Sequence, residues 1–195
     1  PPEHQHAATR EALVMKMVRH PHVCSIEDYH EYPGAGLFAM VLELMNRGSL
    51  ATRIELQGRL QQREVVGVAY ELLQGLAHVH AKGILHRDIK PANILRHRGP
   101  EGVVHKLGDF GIAVSEIKAL GLQNTFQTRT VGLQADVGTP IYMSPEQLKK
   151  GVEAGKASDI WSMGVVMYEA LTGRRPFAHD EADDFTAVVS AITRD

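Results

Sequence analysis

Cysteine is nearly absent: Cys24 stands alone in 195 residues. No internal disulfide can form, so stability has to come from a packed core rather than from covalent staples. Long apolar runs are missing too. The best stretch, around residues 165–168, falls far short of the roughly 18 residues that span a bilayer, and no basic-then-apolar leader opens the sequence. These absences predict no membrane partner and a reducing, intracellular, cytoplasmic setting. Charge of one sign is equally lacking, with 21 lysines and arginines against 23 acids. The polyelectrolyte attraction that nucleic-acid binders use is therefore excluded, and no nucleic-acid partner is expected. Eleven histidines are scattered singly or as His4/His6 and His78/His80, without cysteine companions. They also lack the His-x-x-x-His helical spacing that zinc prefers, which speaks against a metal centre built from them. What is present, 44% hydrophobic and 23% charged residues, is the balance of an ordinary globular domain.

No internal repeat or long linker interrupts the chain. Leu13, Val14, Met17 and Val18 recur at helical spacing and Pro21 closes that segment. Apolar runs at 23–26 and 37–42, divided by the turn-rich Tyr32-Pro33-Gly34-Ala35-Gly36, read as a strand pair. Asn46-Arg47-Gly48-Ser49 breaks the pattern and starts a helix. The strongest helical signal covers 61–82, where Val65, Val68, Ala69, Leu72, Leu73, Leu76 and Val79 repeat near 3.6 residues and Gly83 ends the run. Short strands are expected at 84–85, 94–95 and 103–107, the last two joined by a polar hairpin over 96–102. Residues 115–137 form a long polar stretch without periodicity, and a second apolar helix runs from 158 to 171 before Gly173.

The densest chemistry lies in His86-Arg87-Asp88-Ile89-Lys90-Pro91-Ala92-Asn93, where an imidazole, two cations, a carboxylate and a carboxamide sit between strand-like apolar pairs. Such groups are tolerated in a core only when they satisfy one another. Sixteen residues beyond Asn93 comes Asp109-Phe110-Gly111. Asn93 and Asp109 offer the oxygen ligands that magnesium accepts beside phosphates. Two glycine patterns are set aside. Gly34-Ala35-Gly36 joins two strands with no helix behind it, and the glycines at 151 and 155 are one residue too close for a phosphate loop.

Together with Gly138-Thr139-Pro140-Ile141-Tyr142-Met143-Ser144-Pro145-Glu146 and Ser158-Asp159-Ile160-Trp161-Ser162-Met163-Gly164, these motifs resemble the eukaryotic protein kinases in order and spacing, from about residue 10 to residue 177. The resemblance implies an α+β, two-lobed, protein-kinase-like fold: a truncated small lobe over 1–42, a hinge at 43–48 and a mainly helical large lobe over 49–195. It implies ATP and Mg2+ as cofactors. Asp88 takes the place of the acid that orients the substrate hydroxyl and accepts its proton, and Lys90 that of the cation stabilising the transferring group. Asn93 and Asp109 take the places of the metal ligands. Leu42 corresponds to the back of the adenine pocket, Glu43, Leu44 and Met45 to the hinge whose backbone bonds the adenine edge, and Leu95 to the apolar surface beneath it. Glu11 matches the helix glutamate that pairs with a phosphate-gripping lysine, and Asp159 the acid that holds the catalytic-loop backbone. Met15, Ile26, His86 and Phe110 match an internal hydrophobic column. Lys90 and Gly138-Thr139 point to the serine/threonine branch, and the Asp-Phe-Gly-Ile-Ala and Ser-Pro-Glu variants are similar to never-in-mitosis-related kinases.

The sequence departs from the family in carrying no Gly-rich phosphate cover and no lysine strand before Glu11, and in stopping soon after Arg174-Arg175-Pro176-Phe177. Glu146 lacks its usual downstream arginine. The expectation is a fragment whose parent transfers the terminal phosphoryl group of ATP to protein Ser/Thr hydroxyls, while the 195 residues alone do so weakly or not at all. The competing readings are a pseudokinase or scaffold without turnover, and a small-molecule kinase. Ala135 stands where many relatives carry a phosphorylatable threonine, leaving Thr125, Thr128 and Thr130 for an activating kinase and Asp136 as fixed negative charge. Protein substrates are the expected partners. The oligomeric state is not readable.

Overall fold

The computed structural model describes residues 16–32, 34–35, 37–110, 114–115, 140–149, 151–152, 154–177 and 185–194. Glu11, Met15 and the threonines between 125 and 130 lie outside them, as do Ala135 and Asp136.

Strand β1 (Ile26–Tyr32) runs antiparallel to β2 (Leu37–Leu42), with Tyr32 opposite Leu37 and Ile26 opposite Leu42. The strand expected at 23–26 thus begins where that expectation ends. Residues 23–24 are buried for another purpose: Val23 forms a lone parallel bridge to Leu107, and the Cys24 N–H donates to the Leu107 carbonyl at 2.8 Å. The strand proper turns Glu27, Asp28 and His30 to solvent, with a register shift between Ile26 and Asp28, so its sequence is mostly polar rather than apolar throughout. Burial, with Glu43 next in effect, pushes the Cys24 thiol up to about 11, which keeps it protonated and unreactive.

Helix α1 (Leu50–Gln57) starts as the break predicts. The Ser49 side chain accepts the Thr52 N–H at 3.3 Å, and Leu50 and Ile54 face inward. Helix α2 (Gln62–Ala81) buries Val65, Val68, Leu72, Gly75, Leu76 and Val79, a single stripe. Leu73, counted with that stripe from sequence, faces out at 42% exposure, and Gly75 takes the inward position instead. A Cβ at Gly75 would stand 2.6 Å from the His22 carbonyl oxygen, so α2 lies directly against that backbone.

Strand β3 (Ile84–Leu85) precedes a 3-10 turn at Pro91–Asn93 and the hairpin β4 (Ile94–Gly99) and β5 (Gly102–Leu107). The polar hairpin expected over 96–102 forms, with a ladder that runs further than expected, from Ile94↔Leu107 to Gly99↔Gly102, and leaves only Pro100 and Glu101 as the turn. Strand β6 (Val114–Ser115) pairs with β3. A second 3-10 turn, Pro140–Tyr142, leads to α3 (Pro145–Leu148), α4 (Lys156–Thr172) and α5 (Phe185–Thr193).

The main core joins Leu50, Leu72, Leu76, Ile84, Ile94, Leu107, Phe110, Met163 and Val166, while Ile141, Val165, Val188 and Ile192 form a smaller cluster. Helix α4 packs against α2, and α2 against β5. Helices and three two-stranded sheets give the α+β architecture expected. Among the described residues no helix is long and apolar enough to cross a membrane.

Candidate active site

The polar loop of residues 86–93 enters the core from β3 and is held there by α4. Asp159, in the first turn of that helix and 1% exposed, accepts the His86 N–H at 3.0 Å and the Arg87 N–H at 2.8 Å. Its Oδ2 also takes a bond from His80 Nε2 at 2.7 Å. Burial pushes this carboxyl upward, but the His80 and backbone donors outweigh it and hold it below its ordinary value. Asp159 therefore holds the loop backbone, as the resemblance implies. Arg87 adopts φ +63°, which bends the loop away from extended geometry.

His86 is fully buried and lies 4.6 Å, centroid to centroid, from the Phe110 ring. Burial, the dominant influence, drives the imidazole below its ordinary 6.5, although Asp159, the Gly108 carbonyl, Asp88 and Asp109 act in the opposite sense. The neutral ring has one donor and one acceptor nitrogen. Nε2 donates to the Gly108 carbonyl at 3.1 Å, and Nδ1 accepts the Asp88 N–H at 3.3 Å. His86 thus does more than pack against Phe110, because it joins the loop that carries Asp88 to the turn that carries Asp109. The sequence signal was its place in the polar cluster, but its two partners needed the fold.

Three of the expected catalytic side chains meet directly. Lys90 Nζ and Asn93 Nδ2 both donate to Asp88 Oδ2, at 2.7 and 2.9 Å, and Asn93 Nδ2 also reaches the Asp88 carbonyl at 2.9 Å. The side chains of Lys90 and Asp88 are 28% and 19% exposed, so the pair is half-buried yet open to a ligand. Asp88 Oδ1 takes no part in these bonds, and neither does the carbonyl oxygen of the Asn93 side chain. Asp109 is exposed at φ +58° and is linked to the same loop through Gly108, whose N–H donates to the Asn93 backbone carbonyl at 2.9 Å. No group of three or more His, Cys, Asp or Glu side chains able to hold a metal occurs among the described residues. An amide oxygen and one carboxylate suit magnesium, which takes few protein ligands and completes its shell with phosphate oxygens and water.

On the opposite side of β4 lies the segment 43–48. It is stitched to that strand: the Leu44 carbonyl pairs with His97 Nδ1 at 2.9 Å, Asn46 Oδ1 accepts the Arg98 N–H at 2.8 Å, and the Arg47 N–H donates to Arg96 O at 3.0 Å. Among the described residues no hydrogen bond engages the Met45 backbone. Leu42 is 43% exposed. Leu95 lies over Gly108, where an added Cβ would come within 2.7 Å of Leu95 Cδ1. The Leu95 side chain thereby touches the residue next to Asp109, which places an apolar surface beside the polar turn.

Beyond Gly138 and Thr139, which lie outside the described residues, Ser144 and Gln147 form a capping box at α3. Glu146 accepts the Ser158 hydroxyl at 2.7 Å, which holds its carboxyl below the ordinary range without an arginine. Tyr142 donates to Glu169 at 2.7 Å, and Arg175 reaches the same carboxylate at 3.3 Å.

The family model of the protein kinase domain matches residues 2–194. CBL-interacting protein kinase 24 of Oryza sativa subsp. japonica is 34% identical over 189 residues, covering 96% of this chain and 38% of that protein. Serine/threonine-protein kinase PknA of Mycobacterium tuberculosis is 41% identical over 175 residues, covering 88% and 38%. Serine/threonine-protein kinase RUNKEL of Arabidopsis thaliana is 34% identical over 186 residues, covering 95% and 12%. The chain belongs to the protein kinase domain family. It spans between about a tenth and two fifths of the length of these relatives. The likeness to never-in-mitosis-related kinases rests on the motif variants alone.

Proposed function

We propose that this chain carries the catalytic centre of a serine/threonine protein kinase that transfers the terminal phosphoryl group of ATP to protein hydroxyls. The observation that carries the reading is the Asp88 carboxylate, whose Oδ2 is held by Lys90 and Asn93 while Oδ1 remains to meet a hydroxyl. Asp88 orients the Ser or Thr hydroxyl and takes its proton as the oxygen bonds to the γ-phosphorus and the bond to the β,γ-bridging oxygen breaks, releasing ADP. Lys90 offsets the charge on the transferring group. Asn93 and Asp109 hold Mg2+, which supplies charge neutralisation at the phosphate oxygens. The unengaged Met45 backbone, with the Glu43 carbonyl, reads the adenine edge, and Leu42 and Leu95 give the ring apolar surface. In this reading residues 1–42 belong to a small lobe, 43–48 to the hinge and 49–195 to the large lobe. Protein substrates and an activating kinase are the partners, in an intracellular, cytoplasmic setting. Support comes from the family membership and from two relatives named serine/threonine-protein kinases.

The test is phosphate transfer from labelled ATP to a mixed Ser/Thr peptide library by the full-length protein that contains these residues, because the 195 residues alone are expected to transfer weakly or not at all. Asp88→Asn is expected to lower transfer at least about 100-fold with an unchanged melting temperature. Transfer that persists undiminished in the variant defeats this reading, and partner binding without any transfer favours the scaffold.

A further inference from the structure

Glu43 is tied by its backbone and by its side chain. Its N–H donates to the Ser25 carbonyl at 3.0 Å, and its Oε2 accepts the Ser25 N–H at 3.2 Å. The Ser25 hydroxyl lies 3.3 Å from the same oxygen, but its one proton has a shorter partner in Glu27 at 2.9 Å. The other carboxylate oxygen, Oε1, forms a short ion pair with Lys106 Nζ. Lys106 and Glu43 are only 13% and 24% exposed, so solvent screens the pair less than it would an ion pair on the surface. Partial burial pushes the Glu43 carboxyl up, and the Lys106 and Ser25 donors more than cancel this, leaving it ionised.

The place of Lys106 in the fold gives the pair its meaning. Lys106 stands on β5, opposite Leu95, three residues before Asp109. Apart from a long contact of the Cys24 thiol with the Glu43 carbonyl at 4.0 Å, the remaining stitches of segment 43–48 run to β4, through His97, Arg98 and Arg96. Among the described residues, the Glu43–Lys106 pair is the side-chain tie between this segment and the strand that leads to Asp109.

We propose that Lys106 is a positioning residue for nucleotide binding, fastening the hinge through Glu43 to the strand that delivers Asp109. The inference rests on the assignment of the adenine to residues 43–45 and of the metal to Asp109. A nucleotide that touches both ends at once binds best when their separation is set beforehand, because the cost of ordering them is already met. A ligand that touches the hinge alone gains much less from the tie.

Two measurements test this: amide hydrogen exchange of residues 43–46 in the nucleotide-free chain, and titration with a fluorescent ATP analogue plus Mg2+, with adenosine as competitor. Lys106→Met is expected to speed exchange at 43–46 and to raise the Kd for the Mg2+-bound analogue about ten-fold, while that for adenosine changes less than about three-fold. Lys106→Arg, which keeps the ion pair, restores both readouts. Glu43→Gln, close in shape and uncharged, should reproduce the methionine variant and serves if that variant melts early. Unchanged exchange overturns the proposal, as does an equal loss for adenosine and the Mg2+-bound analogue or a failure of arginine to rescue. If the native chain binds no Mg2+-nucleotide, the kinase reading fails and the proposal with it. If the native chain binds and Lys106→Met binds equally well, the proposal alone is overturned.

Discussion

At the scale of single residues, the site depends on polar groups that are held by bonds to one another and to the backbone. Asp159 shows how much can rest on one carboxylate, since two backbone N–H groups and an imidazole converge on it. Replacing it with alanine strands those donors in the core. Asp159→Ala is expected to lower unfolding free energy by about 3 kcal/mol, read from urea denaturation, and to reduce phosphate transfer together with stability. A variant as stable as the native chain would contradict this account. The cluster at 86–93 was legible in the sequence because so many charged and polar groups rarely share eight core-flanking positions without a common task. His80 was not, since a histidine on a helix has no visible purpose until α4 brings Asp159 to within 2.7 Å of it. Lys106 was equally silent, because its partner lies 63 residues away.

At the scale of elements, packing overrides local preference. Gly75 lies within α2, where alanine would gain about 1 kcal/mol of helix propensity. The added methyl would press on the His22 carbonyl oxygen at 2.6 Å, a backbone atom that cannot swing aside. Overpacking of this kind costs about 1–3 kcal/mol, so Gly75→Ala is expected to be net destabilising, seen as a lower denaturation midpoint. A rise in the midpoint would show that the loop at 20–22 yields easily. Helices α1, α2 and α4 were readable, since caps such as Ser49 and stops such as Gly83 and Gly173 mark their ends, whereas α3 and α5 were not anticipated. Strand limits were less so. The start of β1 was misplaced because residues 23–24 are buried by a bridge to β5, a tertiary event that leaves the same apolar signature as a strand. The β4–β5 ladder was longer than expected because Arg96, His97 and Arg98 look like a loop until pairing gives them backbone partners.

At the scale of the whole molecule, buried histidines tie stability to pH. Burial drives both His86 and His105 below the ordinary 6.5, against the opposing pull of nearby carboxylates such as Asp159 and Glu71. For a group whose pKa is lowered by folding, the unfolded chain binds the proton more tightly, so its contribution is complete above 6.5 and declines as pH falls below that value. Asp159, lowered from 3.8, adds a further loss only in stronger acid. The melting temperature is therefore expected to hold steady above about pH 7 and to fall progressively toward about pH 5. A flat profile across that interval would count against neutral His86 and His105.

The dependence of residues 86 and 87 on Asp159, 73 and 72 positions further along, also has a temporal side. During translation the loop leaves the ribosome well before α4 has been made. A nascent chain therefore lacks the carboxylate that holds the backbone of residues 86 and 87 until α4 has been made, so the loop takes its final form only after that helix arrives.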